Sequence, residues 1–183
     1  MYLQLEQFLI RTFQEGDEKS VAFYANNRNI WRNLRDVFPF PYTIDHAITF
    51  LSQVRAERWP NTFAIDVDGE AAGAISLLPK QDVFHRTAEL GYWLAEPFWN
   101  RGIMTQAVQA ITEWGFRAQD FYRIEAHVFE WNTASMRVLE KAGYTQESRL
   151  KKSVTKDGQT IDSYLYAILS DELNTEMVPG ASE

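Results

Sequence analysis

The chain reads as an α/β protein of the α+β kind: one domain built on a mixed, largely antiparallel twisted sheet of about seven strands flanked by about four helices. Three observations predict this. Strand-like and helix-like runs interleave along the 183 residues, which excludes an all-α or all-β domain. Asp68-Gly69 and Asp157-Gly158 each join two β-rich runs, and such pairs suit tight hairpin turns because both residues tolerate positive φ. The first hairpin is followed by a third strand with no helix between, so neighbouring strands pair antiparallel rather than crossing over.

In chain order, "QFLIRTF" is a first strand, and "GDEKSVAFYA" opens a helix with Asp17 as its N-cap. "NLRDVFPFPYT" is a loop broken by Pro39 and Pro41, and a second helix runs from Ile44 to Arg58 behind Thr43. "TFAIDVDGEAAGAISLL" is the hairpin turning at Asp68-Gly69, and "TAELGYWLA" is the strand after it. In "FWNRGIMTQAVQAITEWGF" a loop leads into a helix from Gly102 to about Arg117, because Ile103, Ala107, Ala110, Ile111 and Trp114 recur at helical spacing. "YRIEAHVF" is a strand, and "NTASMRVLEKAG" is a helix capped at Asn132 and stopped at Gly143. "YTQESRLKKSVTKDGQTIDSYLYAIL" is a long hairpin about Asp157-Gly158. Residues 1–170 make the domain, and 171–183, small and polar, make a flexible tail.

Composition narrows the function classes. A hydrophobic fraction of 45% with 14% aromatics is enough for a sizeable core. The absence of cysteine removes disulfides, thiolate nucleophiles and thiolate metal sites, and fits a reducing cytoplasm. A formal charge of -7 argues against nucleic acid as the main partner, since a phosphate backbone needs a concentrated cationic surface. The N-terminus "MYLQLEQFLIRTF" has no basic region ahead of its apolar residues, and no apolar run reaches membrane-spanning length, so neither signal peptide nor anchor is expected. His46 and His85 lack partners at ligand spacing, and no metal is expected.

The loop before Gly102 carries the strongest functional signal. A strand that runs into a loop and then a helix N-terminus presents unpaired N–H groups and the positive end of the helix dipole, which together hold an anion. The residues after Gly102 are Ile103, Met104 and Thr105, so the Gly-Lys-Ser/Thr of a nucleotide triphosphatase loop is missing, as is the three-glycine dinucleotide fingerprint.

"AELGYWLAEPFWNRGIMTQAV" followed by "YRIEAHVFEWNTASMRVLEKAGY" resembles the GNAT superfamily of acetyl-CoA-dependent N-acetyltransferases, and within it the ribosomal-protein, RimJ/RimL-like branch. The resemblance extends back through "NLRDVFPFPYT" and forward to about Leu169. It implies a sheet splayed at the acetyl-CoA site. It further implies that main-chain N–H groups around Trp99, Asn100, Arg101, Gly102, Met104 and Thr105 cradle the coenzyme A pyrophosphate. The family's loop reads Gln/Arg-x-x-Gly-x-Gly/Ala; here Trp99 and Met104 stand at its first and last positions. Glycine at 102 lets the backbone approach the ligand with no Cβ in the way.

Acetyl transfer to an amine needs a neutral nucleophile, a donor for the developing oxyanion and a proton for the leaving thiolate. By resemblance Glu89 handles the amine's proton, directly or through water; alternatively it binds the acceptor ammonium or fixes structure. The oxyanion donor would be a main-chain N–H near Trp93 or Leu94. Many superfamily members carry a tyrosine acid seven residues after the asparagine of "N-x-x-S/A", a position held here by Leu139. The RimL-like branch points instead to Ser135, which is either a hydrogen-bond relay to sulfur or a first-turn helix residue; Asn132 is either a pantetheine contact or an N-cap. Arg35, Phe38, Tyr42, His127 and Tyr164 are candidates for the acceptor cleft, His127 sharing a strand face with Glu125.

The resulting expectation is direct acetyl transfer to a primary amine, in first place a protein N-terminal α-amine. The alternatives are a small amine such as a polyamine, amino acid derivative or aminoglycoside, and a catalytically silent coenzyme A-binding module. A monomer or a homodimer paired through exposed strand edges is expected.

Overall fold

The structure, a computed structural model, describes residues 2–56 and 61–173. Its described residues form eight strands and five α-helices in the order β1 (Tyr2–Gln4), β2 (Leu9–Arg11), α1 (Asp17–Ala25), α2 (Arg28–Trp31), α3 (Ile44–Ala56), β3 (Thr62–Val67), β4 (Glu70–Pro79), β5 (Thr87–Leu94), α4 (Ile103–Ala118), β6 (Arg123–Phe129), α5 (Thr133–Lys141), β7 (Thr145–Lys156) and β8 (Gln159–Leu169). All belong to one sheet, ordered β1-β2-β3-β4-β5-β6-β8-β7. Every neighbouring pair is antiparallel except β5 and β6.

The strand and helix beyond the expected numbers are β1 and α2. β1 is only three residues long and folds back on β2 through a turn closed by the Leu5 amide on the Phe8 carbonyl. α2 is a single turn capped by the Asn27 side chain, which accepts from the Asn29 amide. Neither is long enough to establish a period. The end of the second expected helix at Arg58, and residues 174–183 of the expected tail, lie outside the described residues.

Two apolar layers sandwich the sheet. α4 and α5 cover one face over Phe63, Ile65, Ile75, Leu77, Leu90, Ile124 and Val128; α1 and α3 cover the other over Ala64, Ala71, Ala74 and Trp93. Gly115 of α4 lets that helix settle on the sheet, since a Cβ there would come within 2.5 Å of Leu77 Cδ1. One start signal differs from expectation. Gly16, at φ 99°, is the N-cap of α1, and Asp17 is the first helical residue. Its carboxylate is engaged elsewhere, accepting both terminal guanidinium nitrogens of the buried Arg11 at 2.7 and 2.9 Å, while Arg11 Nε reaches Asp66 at 2.7 Å. α3 is capped as its threonine suggests, with Thr43 Oγ1 accepting from the His46 amide.

At the far edge, β7 is almost wholly exposed, and its register with β8 shifts between Leu150 and Val154 around Lys152, a non-glycine residue at φ 52°. A bulge with two adjacent lysines blunts an edge against pairing with a second chain.

Candidate active site

The site grows from one irregularity in the sheet. β5 pairs with β6 only over Thr87–Glu89, opposite Arg123–Glu125. Past Glu89 and Glu125 the two strands diverge, and β6 continues with β8 while β5 continues with β4. The free edge of β5 can be read from the ladder on its other side. The Lys80 amide donates to the Thr87 carbonyl and the Ala95 amide to the Ala72 carbonyl, both at 2.8 Å. Hydrogen-bonded pairs alternate along an antiparallel ladder, so Glu89, Gly91 and Trp93 turn their amides to β4. Tyr92 and Leu94 turn theirs into the gap. Of the two expected oxyanion donors, Trp93 is therefore committed to the sheet and Leu94 is open. The Leu94 carbonyl, on the same free edge, accepts Trp99 Nε1 at 2.7 Å, which pins the following loop to the strand end.

That loop delivers the helix terminus expected at Gly102. Asn100 at φ 60° and Gly102 at φ 79° turn the chain into α4, whose N-cap Gly102 makes no side-chain capping bond. The amides of Ile103, Met104 and Thr105 are thus presented at the positive end of a helix of 16 residues. The Met104 side chain is buried in the α4 core layer. Arg101 lies over the Phe98 ring at 5.3 Å.

α5 begins beside the gap. Asn132 caps it, accepting from the Ser135 amide at 3.3 Å, and the Ser135 hydroxyl is hydrogen-bonded to the Tyr92 hydroxyl at 2.7 Å. Burial pushes the Tyr92 hydroxyl well above its ordinary range, against the opposing effect of the Ser135 hydrogen bond, so the phenol keeps its proton at neutral pH. Tyr92 was not among the sequence candidates. Nothing in "LGYWL" distinguishes it from a core aromatic, and its partner lies 43 residues away. Leu139, where a tyrosine acid would stand, is fully buried in the core.

The opposite face of the same gap is ionic. Side chains alternate along a strand, so Glu89 shares the α1/α3 face with Trp93 while Tyr92 faces α4 and α5. Glu89 forms an ion pair with Arg35, from the loop after α2. Its register neighbour Glu125 is buried and paired with Lys80 and with Arg123. Burial works to raise the Glu125 carboxyl, but the hydrogen bonds from Lys80 and Arg123 prevail and hold it below the usual carboxylate range. Two carboxylates thus flank the apex where the strands part. His127 follows two residues along β6 on the face of Glu125 and is exposed.

The remaining candidates divide between the faces. Phe38 packs on Tyr42 and Trp93, with ring centroids 4.8 and 6.0 Å apart, on the face that carries Glu89. Tyr42 belongs to the core, 6% exposed, and burial pushes its hydroxyl up to about 12. Tyr164 pairs with Val128 in register and packs on the α4/α5 face beneath the Arg149 guanidinium, apart from Glu89. Among the described residues no group of three His, Cys, Asp or Glu side chains is arranged to hold a metal ion, and no helix is long and apolar enough to cross a membrane.

Comparison with known proteins adds to this geometry. A family model described as acetyltransferase (GNAT) domain matches residues 7–145. The uncharacterized N-acetyltransferase YnaD of Bacillus subtilis is 27% identical over 174 residues, 95% of this chain and 100% of the relative. The spermidine N(1)-acetyltransferase of Escherichia coli is 27% identical over 151 residues, 82% of this chain and 79% of the relative. Among solved structures, Mycobacterium smegmatis RimJ in complex with CoA-disulfide is similar with a TM-score of 0.80 and 27% identity, covering 91% of this chain and 83% of that one.

Proposed function

The chain belongs to the acetyltransferase (GNAT) domain family, and on that premise we propose that it transfers the acetyl group of acetyl-CoA directly to an α-amine at a peptide or protein N-terminus. Acetyl-CoA-dependent N-acetyl transfer follows from membership; the acceptor class is the step beyond it. The observation that carries this step is the Arg35–Glu89 ion pair at the apex of the gap. An α-amino acyl group brings an ammonium and, three bonds away, a carbonyl oxygen. Glu89 matches the first and Arg35 the second. A polyamine brings only cations, which compete with Arg35 for Glu89 and gain nothing from the guanidinium.

The gap and the α4 terminus fit coenzyme A. The Ile103, Met104 and Thr105 amides would hold its pyrophosphate, with Gly102 leaving room for close approach. Acetyl-CoA supplies the activated acyl carbon when bound. The residues of this chain then act on either side of it. Arg35 swings from Glu89 to the acceptor carbonyl, and Glu89 receives the amine's proton, directly or through water. The amine nitrogen forms the new C–N bond as the C–S bond breaks, and the Leu94 amide, free of the sheet, donates to the oxygen that gains charge. The Ser135 hydroxyl, held by Tyr92, donates a hydrogen bond to the leaving sulfur, and the thiolate takes a proton from solvent, to which Glu89 gives up the one it received from the amine. This relay from another strand supports an active enzyme over a silent coenzyme A-binding module despite Leu139.

The test is acceptor-dependent release of coenzyme A thiol, comparing N-terminal peptides, the same peptides with a blocked N-terminus, and spermidine. Release with free N-termini alone is expected. Release with spermidine alone would overturn the acceptor class, and acetyl-CoA binding without release under any acceptor would establish the silent module.

A further inference from the structure

We propose that Lys156 is a positioning residue for acceptor binding: from the tip of the β7/β8 hairpin it holds the segment that presents Arg35 to Glu89. This rests on the reading of Glu89 and Arg35 as the acceptor side of the site.

The lysine is unusual for its place. It is the last residue of an edge strand whose other residues are mostly exposed, yet it is 2% exposed itself. Its ammonium donates to Asp36 Oδ1 at 2.6 Å and sits 3.8 Å from the centre of the Trp31 ring. An ammonium is withdrawn from water only at a cost, which a carboxylate and an aromatic face offset here. Both partners come from the segment that follows α1. The next residue of the hairpin, Asp157, accepts a forked pair of bonds from Arg28 at 2.9 and 2.7 Å. The tip therefore grips α2 at its start, at its end and five residues beyond.

The same segment is tied down on its other flanks. Asn27 and Asn29 donate to Glu96, just past the end of β5, and the Arg32 guanidinium lies 4.9 Å from the centre of the Trp131 ring, just before α5. It forms a strap across the mouth of the gap, anchored just past the ends of both diverging strands. Arg35 is the neighbour of Asp36 and is itself exposed, with only Glu89 as its ion-pair partner among the described residues. Its placement is set by what holds Asp36. Asp36 is 76% exposed at its side chain and has no structural duty in the core, so the buried charge of Lys156 acts on the strap rather than on the fold.

The experiment measures KM and kcat for the acceptor and KM for acetyl-CoA in Lys156→Met, which keeps the apolar stem, and in Asp36→Asn, which changes only an exposed group. Either substitution is expected to raise the acceptor KM about tenfold, with kcat and the acetyl-CoA KM within about twofold, and the double variant is expected to be no worse than either single one. Amide exchange over residues 28–36 is expected to quicken in both variants. An acceptor KM within about twofold of the parent in both variants overturns the proposal, even if Lys156→Met melts at a lower temperature, since a purely structural lysine moves stability alone. Should Lys156→Met fail to fold, Asp36→Asn carries the test by itself. If the parent protein shows no acceptor-dependent release, the reading of the site has failed; unchanged exchange over 28–36 in Asp36→Asn then overturns the clamp separately.

Discussion

The two faces of the splayed sheet solve different physical problems, and the difference lies in how each treats charge. On the α4/α5 face the groups beside the gap are neutral and fixed: main-chain amides, a capped serine and a buried phenol. On the α1/α3 face they are ionic, and Arg35 is largely in water. A face that meets one invariant ligand gains from rigid dipoles, which need no reorganisation when charge develops. One that must release an internal cation to admit an external one gains from an exchangeable ion pair, worth about 1 kcal/mol or less when solvated. Rigidity and exchange lie a few residues apart because successive side chains of β5 point to opposite faces.

The largest effect is expected of Gly102→Glu. It places a carboxylate at the helix terminus and a Cβ at a φ of 79°, and acetyl-CoA affinity is expected to fall at least about 100-fold by calorimetry, with acceptor affinity preserved. Glu89→Gln acts on the ionic face: kcat/KM for the acceptor is expected to fall about 100-fold in steady-state assays, with the acetyl-CoA dissociation constant unchanged. Tyr92→Phe tests the neutral relay. A fall in kcat of about tenfold is expected, with Ser135→Ala similar and the double variant no worse, because the two hydroxyls act as one unit. A drop in the acetyl-CoA affinity of Glu89→Gln as large as that of Gly102→Glu would erase the division between the faces.

The smallest effect concerns stability against pH. The folded state holds the Glu125 carboxyl below its unfolded value, so its contribution is complete above the ordinary glutamate range near pH 4.3 and is lost as pH falls through the lower folded value. Urea midpoints measured from pH 6 to 3 are expected to fall in that acid window, and Glu125→Gln is expected to flatten that part of the curve.

Much of the site was legible locally. Gly102 after a strand and loop announces a helix terminus with unpaired amides, and Asn132 ahead of a periodic run announces a cap; both depend on neighbours within a few residues. Hairpins at Asp68-Gly69 and Asp157-Gly158 were legible for the same reason, since a tight turn is specified by its own two residues. Asp17 was misplaced as a cap because a carboxylate in that position suits one equally well until a buried arginine claims it. The single turn of α2 and the three residues of β1 fell below the length at which a period exists.

Spacing along the chain is enough to order all the elements but β1 and α2, to mark the apolar faces that bury them and to place the helix terminus at Gly102 with its unpaired amides. That Arg35 meets Glu89, Tyr92 meets Ser135 and Lys156 meets Asp36 follows from the packed fold alone, since these pairs lie 54, 43 and 120 residues apart. The packed fold also decides which amide of β5 is open, because that depends on where β6 leaves its neighbour. The physical reason is one of range: propensity and periodicity act over a turn or a strand, whereas a polar group's partner is chosen by whichever distant segment the packed sheet brings within 3 Å.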